Sequence, residues 1–188
     1  MKKTVVTGLL CALALVAGAA EFKHYQLRMS ADDTFTVAET KTWAVKVERF
    51  LSMRHADVKV TPKVGADFSL MLYFKCDTAD LANFDSAEKM KKVVLASSQK
   101  YLPNCVEKEV QLHAINQRGR YGFYTILTDA NLANETRVPE GKFKFITRGM
   151  VRLSTDSALG FSLMTNEVTS KKYEELLAYV LGFIQPVG

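Results

Sequence analysis

The chain has 188 residues, of which 48% are hydrophobic and 24% are charged, and its formal net charge is +5 at pH 7. This composition is that of an ordinary globular protein, and it excludes disorder, collagen-like repeats and a coiled coil as descriptions of the whole chain. The length fits one domain. The positive charges are scattered along the sequence, so they predict a solvated surface and no nucleic-acid partner.

The first twenty residues have the pattern of a secretory signal peptide. Two lysines follow the initiating methionine, and an apolar run from Val5 to Val16 ends in small residues before Glu21. A membrane-spanning helix needs about 20 apolar residues, more than this run supplies, although a retained N-terminal anchor is the alternative. We predict that residues 1–20 are removed and that residues 21–188 form one domain without a membrane span. The expected location is the periplasm, or the outside, of a bacterial cell.

The part of the chain before residue 76 reads as strands. Trp43, Val45 and Val47 alternate with polar or small residues, which is typical of a strand with one buried face. A shorter piece around Val58 and Val60 ends before Pro62. Residues 68–74 are apolar on nearly both faces, as in a central strand that is covered on two sides. Residues 21–42 allow one more pair of strands.

The first helix is predicted from its capping pattern and its apolar stripe. Asp85 is an N-cap candidate with Glu88 three residues later, a capping-box arrangement. Residues then recur at helical spacing on one face: Met90, Val93, Val94, Ser97 and Tyr101. Pro103 ends the helix.

The second half of the chain predicts two hairpins and a closing helix. The first hairpin joins residues 106–115 to 121–128 through the glycine-containing tip 116–120, and the second joins 143–153 to 159–165. The closing helix begins at residue 169 or 170. Consecutive strands with short turns are antiparallel, so the fold class is α+β. The two-sided apolarity of residues 68–74 further predicts helices on both faces of the sheet.

The predicted mature chain keeps two cysteines, Cys76 and Cys105. An even pair in an oxidising compartment predicts a structural disulfide, which in the chain-entropy model stabilises by about 3.6 kcal/mol. Two reduced thiols are the alternative. The wide spacing of the pair argues against redox or metal chemistry.

The end of the chain resembles a known family. The segment Thr147-Arg148-Gly149-Met150-Val151-Arg152-Leu153, the run from Leu159 to Glu167 and the helix that follows are similar to the close of the PsbP-like α/β/α sandwich. That family includes photosystem II extrinsic proteins, their bacterial relatives and a Ran-binding import factor. The resemblance covers residues 43–185 in the order of helices and strands, and residues 147–185 in the amino-acid sequence itself. It implies an antiparallel sheet between helices and a non-enzymatic role through protein contacts, and it carries over no functional residue.

Catalytic motifs are missing from the sequence. Ser162 lacks the second glycine of a nucleophile elbow, and His55 with Asp57 could supply two metal ligands but has no accompanying His/Cys cluster. His113 reads as a strand histidine. Glycine-rich phosphate loops are also absent from the sequence. We therefore predict no cofactor, no metal site and no catalytic residue.

The most distinctive polar feature is the first hairpin tip. Arg118 and Arg120 flank Gly119, and Tyr121 follows them. Arginine forks bind carboxylate or phosphate groups in a bidentate manner, so Arg118, Arg120 and Tyr121 are the candidate binding residues. An ordinary exposed turn is the alternative for this tip.

Two functions are compatible with these patterns. The first is a secreted or periplasmic accessory or protein-interaction module without catalytic activity, with an unidentified protein as its partner. The second is a small periplasmic hydrolase or ligand-binding enzyme with a dispersed site. Convergence of His55, Asp57 or His113 in a deep cleft would favour the second.

Overall fold

Strands dominate the computed structural model, which describes residues 23–29, 34–51, 55–76, 84–117, 120–154 and 157–182. The elements, in chain order, are β1 (His24–Arg28), β2 (Thr34–Ala38), β3 (Trp43–Leu51), β4 (His55–Pro62), β5 (Phe68–Lys75), α1 (Ala87–Gln99), a 3-10 turn (Leu102–Asn104), β6 (His113–Gln117), β7 (Arg120–Thr128), β8 (Phe145–Arg152), β9 (Ala158–Thr165) and α2 (Lys171–Gly182). The predicted signal peptide, residues 1–20, lies outside the described residues, so its removal stays a prediction.

Seven strands form one antiparallel sheet in the order β3-β4-β5-β9-β8-β7-β6, and β1 and β2 form a separate hairpin. The centre of the sheet is the pair β5 and β9, which joins the two halves of the chain. The prediction of an α+β fold built on an antiparallel sheet is confirmed, and the strand pair allowed within residues 21–42 is present as β1 and β2.

One face of the sheet is covered by α2 and the β1–β2 hairpin. Alternate side chains of β5, Leu70, Leu72 and Phe74, are fully buried there, as expected where every second residue points to the same face. Phe35 of the hairpin stacks on Phe74 with ring centroids 5.2 Å apart. Tyr179 of α2 packs edge-on against Trp43 at 5.5 Å. This face therefore holds the larger core.

The opposite face carries α1, which lies over β7 and β8. Met90 and Val94 of the helix are buried with Phe84 and Ala158 in a second, smaller core. The predicted sandwich, with helices on both faces of the sheet, is confirmed, but the prediction that both faces of residues 68–74 are covered is wrong, because α1 lies over β7 and β8. Because α1 lies at one side, the described elements leave this face of β3, β4 and β5 without a covering helix.

Several predicted boundaries shift. β4 begins at His55 and includes Pro62, and the shifts in α1 and β6 have a clear physical cause. Ser86, and not Asp85, is the N-cap of α1, and its hydroxyl accepts from the backbone N–H of Lys89 at 3.2 Å. The strand predicted over 106–115 is wrong for its first part, since β6 begins at His113. There the carboxylate of Glu107 accepts from the backbone N–H of Thr128 at 2.8 Å and from its hydroxyl at 2.7 Å. A side chain thus takes a bond that a longer strand would have supplied from its backbone.

The prediction of a disulfide is wrong. Cys76 and Cys105 are both described residues, and no bond joins them. Cys76 follows Lys75, in the row of Ala158 and Arg152, whereas Cys105 bridges to Asp129, beyond the row of Phe145. Phe145 and Arg152 are the two ends of β8, and each cysteine lies one row beyond an end, so the cysteines are about 30 Å apart along the strands. A disulfide needs Cα atoms within about 7 Å. The cause is α1, which returns the chain to the far end of the sheet.

Candidate functional site

The face of β3, β4 and β5 without a covering helix is the candidate site, and we call it the open half-face. Strand alternation points the side chains between the buried valines and leucines toward it. Apart from Ser69, which is buried, these side chains are exposed or half-buried, among them Lys46, Glu48, His55, Asp57, Lys59, Met71, Tyr73 and Lys75. The surface is therefore a flat platform of mixed charge around two less polar side chains, those of Met71 and Tyr73.

His55 and Asp57 form a hydrogen-bonded pair on β4, the middle strand of this platform. The Nε2 atom of His55 lies 2.7 Å from Oδ1 of Asp57, and the two side chains are 30% and 17% exposed. Residues two apart on a strand share a face, which explains why the short spacing in the sequence brings them together. Asp57 is opposite Tyr73 in the sheet register, so the pair borders the centre of the open half-face.

Four polar side chains meet between the open half-face and the end of α1, and we call them the Tyr73 cluster: Tyr73, Tyr101, Arg148 and Ser162. Arg148 is directly opposite Ser162 across β8 and β9, and its guanidinium lies over the ring of Tyr101 at 4.2 Å. Nη1 of Arg148 also donates to the backbone carbonyl of Ser97 at 3.4 Å. The cation thus sits at the negative end of the helix dipole, where a positive charge is stabilising.

The groups around Tyr73 shift its pKa in opposite directions. Burial raises the pKa of the Tyr73 phenol above its usual range, and the nearby charge of Asp57 and the Tyr101 hydroxyl add to the rise. The Ser162 hydroxyl and the Arg148 cation lower the pKa in opposition. The phenol is consequently protonated at neutral pH and available as a hydrogen-bond donor.

The arrangement does not form a nucleophile–base pair. Ser162 is opposite Met71 and His55 is opposite Lys75, four residues further along β5. That offset is about 13 Å along the strand, and two strand spacings add about 10 Å across it. His113 lies on β6, at the other edge of the sheet. Of the three residues whose convergence would have favoured a hydrolase, the structure brings together only His55 and Asp57, and the Ser162 hydroxyl is not within reach of His55.

Metal ligands do not cluster in the described part of the chain, where no group of three His, Cys, Asp or Glu side chains is placed to hold an ion. Nor does any described helix have the length and apolar character needed to cross a membrane.

The hairpin-tip residues take different places. Arg118 lies outside the described residues, and Arg120 is half-buried opposite Gln117 at the start of β7. The hydroxyl of Tyr121 donates to the backbone carbonyl of Phe84 at 2.8 Å, so this side chain connects β7 to the segment that enters α1. A binding role for Arg118 and Arg120 stays a prediction, while Tyr121 is held by structural contacts.

A second surface lies at the end of the sheet near the start of α2. It is a groove of about 210 Å³ with Trp43 and Phe68 at its base and lysines at its rim. Two of these lysines already have acidic partners: Lys63 pairs with Glu39 at 3.4 Å, and Lys172 pairs with Asp67. Polar groups that lack a hydrogen-bond or ionic partner are therefore a feature of the Tyr73 cluster more than of this groove.

Sequence reasoning missed Arg148, Tyr73 and Tyr101 as neighbours. Tyr73 was assigned only to an apolar strand, Tyr101 to a helix stripe and Arg148 to a resemblance segment. The three come together through β-sheet pairing across long sequence separations, and strand alternation alone could place Tyr73 on the outer face of β5.

Comparisons with known proteins support the fold. No protein-family model matches the chain, and no curated protein matches it. The chain is similar to the solution structure of cyanobacterial PsbP (CyanoP) from Synechocystis sp. PCC 6803, with a TM-score of 0.52 and 14% sequence identity. The match covers 92% of this chain and 96% of that chain. The PsbP-like fold expected from residues 147–185 is thereby confirmed.

Proposed function

We propose that the protein is a secreted or periplasmic accessory protein that binds another protein through the open half-face and catalyses no reaction. The observation that carries the proposal is this platform, a rigid strand surface whose side chains project outward beside α1. The expected family role, contact with other proteins, points in the same direction.

The chemistry of the platform suits a protein partner. Tyrosine, methionine and arginine are enriched at protein interfaces, and Met71 and Tyr73 stand at its centre with Arg148 beside them. Charged side chains surround them, among them Lys59 and the ion pair of Lys46 with Glu48, whose atoms are 3.5 Å apart. A less polar centre with a charged rim is the arrangement of a standard recognition surface.

Site-specific photocrosslinking in cells tests this proposal. A photoreactive amino acid is placed at Lys59 on the open half-face and, as a matched control, at Lys91 on the exposed side of α1. We expect one discrete crosslinked protein from position 59 and none from position 91. Failure to crosslink from position 59, or equal products from both positions, contradicts the proposal.

The compartment has its own test. If residues 1–20 act as a signal peptide, the exported protein begins at Ala20 or Glu21, and its intact mass reveals this. A purified chain that retains Met1 and the apolar run contradicts the assignment to the periplasm or the cell exterior.

A further inference from the structure

Two arginines of β8 occupy equivalent positions but have unequal hydrogen bonding. Arg148 and Arg152 lie four residues apart on the α1 side of the strand, and each guanidinium lies over a tyrosine ring. Arg152 is well satisfied: Nε donates to the carbonyl of Ser154 at 3.0 Å, and Nη1 donates to the carbonyl of Phe84 at 3.1 Å and to the Tyr121 hydroxyl at 2.8 Å. It serves as the internal reference for Arg148.

Arg148 forms one hydrogen bond with the described residues. Nη1 donates to the carbonyl of Ser97 at the long distance of 3.4 Å, and the buried Nε has no acceptor among the described residues. The ion pairs found in the described part of the chain do not include Arg148. A half-buried guanidinium that lacks an anionic partner is costly, and it remains able to form bidentate bonds.

We propose that Arg148, with the hydroxyl groups of Tyr73 and Ser162, binds a carboxylate presented by an acidic side chain of a partner protein. The guanidinium supplies the planar donor fork that matches a carboxylate. Tyr73 and Ser162 supply O–H donors at its side, and Tyr101, which is 40% exposed, lets solvent reach the cluster.

The charge of the cluster selects a singly charged anion. Arg148 is the one cation among the four residues of the Tyr73 cluster, so a carboxylate balances it. Asp57 is opposite Tyr73 on β4, which flanks β5 on the side away from Ser162 and Arg148. A phosphate dianion would meet that negative charge without a second cation in the cluster, and like charges at this range are repulsive.

The inference rests on the proposed function only in assigning the carboxylate to a protein. The Tyr73 cluster borders the open half-face, so we expect an acidic side chain of a protein seated on Met71 and Lys59 to contact the Arg148 guanidinium. Carboxylate binding by the cluster is itself measurable without any knowledge of the partner.

The test is a binding titration of the mature chain with a fluorescein-labelled peptide, Gly-Ser-Glu-Glu-Glu-Ser-Gly, and with its Gln counterpart. We expect the Glu peptide to bind at least tenfold more tightly than the Gln peptide. Arg148→Gln and Tyr73→Phe should each weaken binding by about fivefold or more, and Lys91→Gln should leave it unchanged. Tyr73→Phe keeps the ring packing, so it remains informative if Arg148→Gln does not fold.

Equal binding of the two peptides, or unchanged binding by folded Tyr73→Phe and Arg148→Gln, overturns the carboxylate site. Sodium glutarate serves as the second probe. Competition by glutarate only at concentrations far above that of the peptide supports a protein-borne carboxylate, whereas tighter binding of glutarate than of the peptide overturns that assignment. If peptide binding depends on Arg148 but position 59 gives no crosslink, the carboxylate site is supported and the proposed function is contradicted. If position 59 gives a crosslink but peptide binding does not depend on Arg148, the proposed function is supported and the carboxylate site is contradicted.

Discussion

Tyr121 and Arg152 share the backbone carbonyl of Phe84. The Tyr121 hydroxyl and Nη1 of Arg152 both donate to this oxygen, at 2.8 Å and 3.1 Å, and Nη1 also donates to the hydroxyl at 2.8 Å. Adjacent strands, β7 and β8, thereby hold the segment that enters α1. The contact fixes one end of the helix over the sheet, and Arg148 contacts the other end.

Removal of the Tyr121 hydroxyl should destabilise the fold. Tyr121→Phe leaves Arg152 and the Phe84 carbonyl without one partner each, and we expect the free energy of unfolding to fall by about 1–2 kcal/mol. Urea denaturation measures this value. Tyr101→Phe is the matched control, because the Tyr101 ring stacks on Arg148 through its face and should tolerate the change within about 0.5 kcal/mol. Equal losses in both variants would contradict the role assigned to Tyr121.

The hairpin-tip arginines should contribute to binding and not to stability. A double change, Arg118→Ala with Arg120→Ala, should leave the melting temperature nearly unchanged, because the half-buried Arg120 has no ion pair with the described residues and surface charges seldom stabilise by more than about 1 kcal/mol. With an anionic partner, association should become slower, and the difference should diminish as salt rises. An unfolded double variant would show that the arginines are structural, and unchanged affinity for the crosslinked partner would exclude them from binding.

The elements that the sequence predicts correctly are those that depend on the local pattern of apolar and polar residues. The stripe through Met90 and Val94 identifies α1, because both residues face the smaller core. The apolar run of β5 identifies the strand that is third from one edge of the sheet and buried along much of its length. The second hairpin follows from polar turn residues between apolar runs, and it pairs in the structure as β8 and β9.

The candidate site depends on contacts that the local pattern does not contain. Cys76 and Cys105 look like a disulfide pair until the length of α1 places them at opposite ends of the sheet. Arg148 reaches Tyr101, 47 positions earlier in the sequence, only because β8 lies beneath the end of α1. Glu107 shortens β6 through a bond to Thr128 that no strand propensity indicates. Cross-strand register, and not periodicity, decides each of these cases.

Both cysteines should be alkylated in protein isolated without a reductant and then denatured. Since Cys76 and Cys105 are too far apart to bond to each other, peptide mapping should show each carrying iodoacetamide. In the folded protein Cys105 should react slowly, because burial, followed by the charges of Glu107 and Asp129, raises the pKa of its thiol and lowers the thiolate fraction. A crosslinked peptide that contains both cysteines would contradict the strand register.

Stability should decrease in strong alkali because of buried tyrosines. Burial raises the pKa of Tyr179 to about 12, although its bond to the carbonyl of Ala38 at 3.2 Å opposes the rise. Between pH 10 and the folded-state pKa the unfolded chain ionises and the native state does not, so this contribution is complete below pH 10 and is lost as pH rises toward about 12.

The variant Tyr179→Phe isolates this contribution. Between pH 8 and pH 11.5, urea titrations should show a fall in stability that is smaller in the variant by about 1 kcal/mol, a value reduced for the partly exposed ring. Tyr25, Tyr73 and Tyr173 also have a raised pKa, so the variant should keep part of the decrease. Identical pH profiles for the two proteins would show that burial does not raise the pKa of Tyr179.

Gly149 and Gly160 lie on adjacent strands, yet only Gly149 should be required. A Cβ at Gly149 would lie 2.6 Å from Cβ of Tyr124 and 2.7 Å from both Cε1 of Phe161 and the backbone oxygen of Phe123. At Gly160 the nearest atom would be Cβ of Tyr73 at 3.6 Å, which is an ordinary contact. The space, and not the backbone conformation, therefore distinguishes the two glycines.

Gly149→Ala should lower the free energy of unfolding by about 2–3 kcal/mol, because neither the backbone oxygen nor the ring packing can move without disturbing the sheet. Gly160→Ala should change it by less than about 0.5 kcal/mol, since the added methyl group fits and the unfolded chain loses conformational freedom. Urea denaturation of both variants provides the measurement. A Gly149→Ala protein as stable as Gly160→Ala would show that Tyr124 and Phe161 do not close on β8 as the register of β7, β8 and β9 requires.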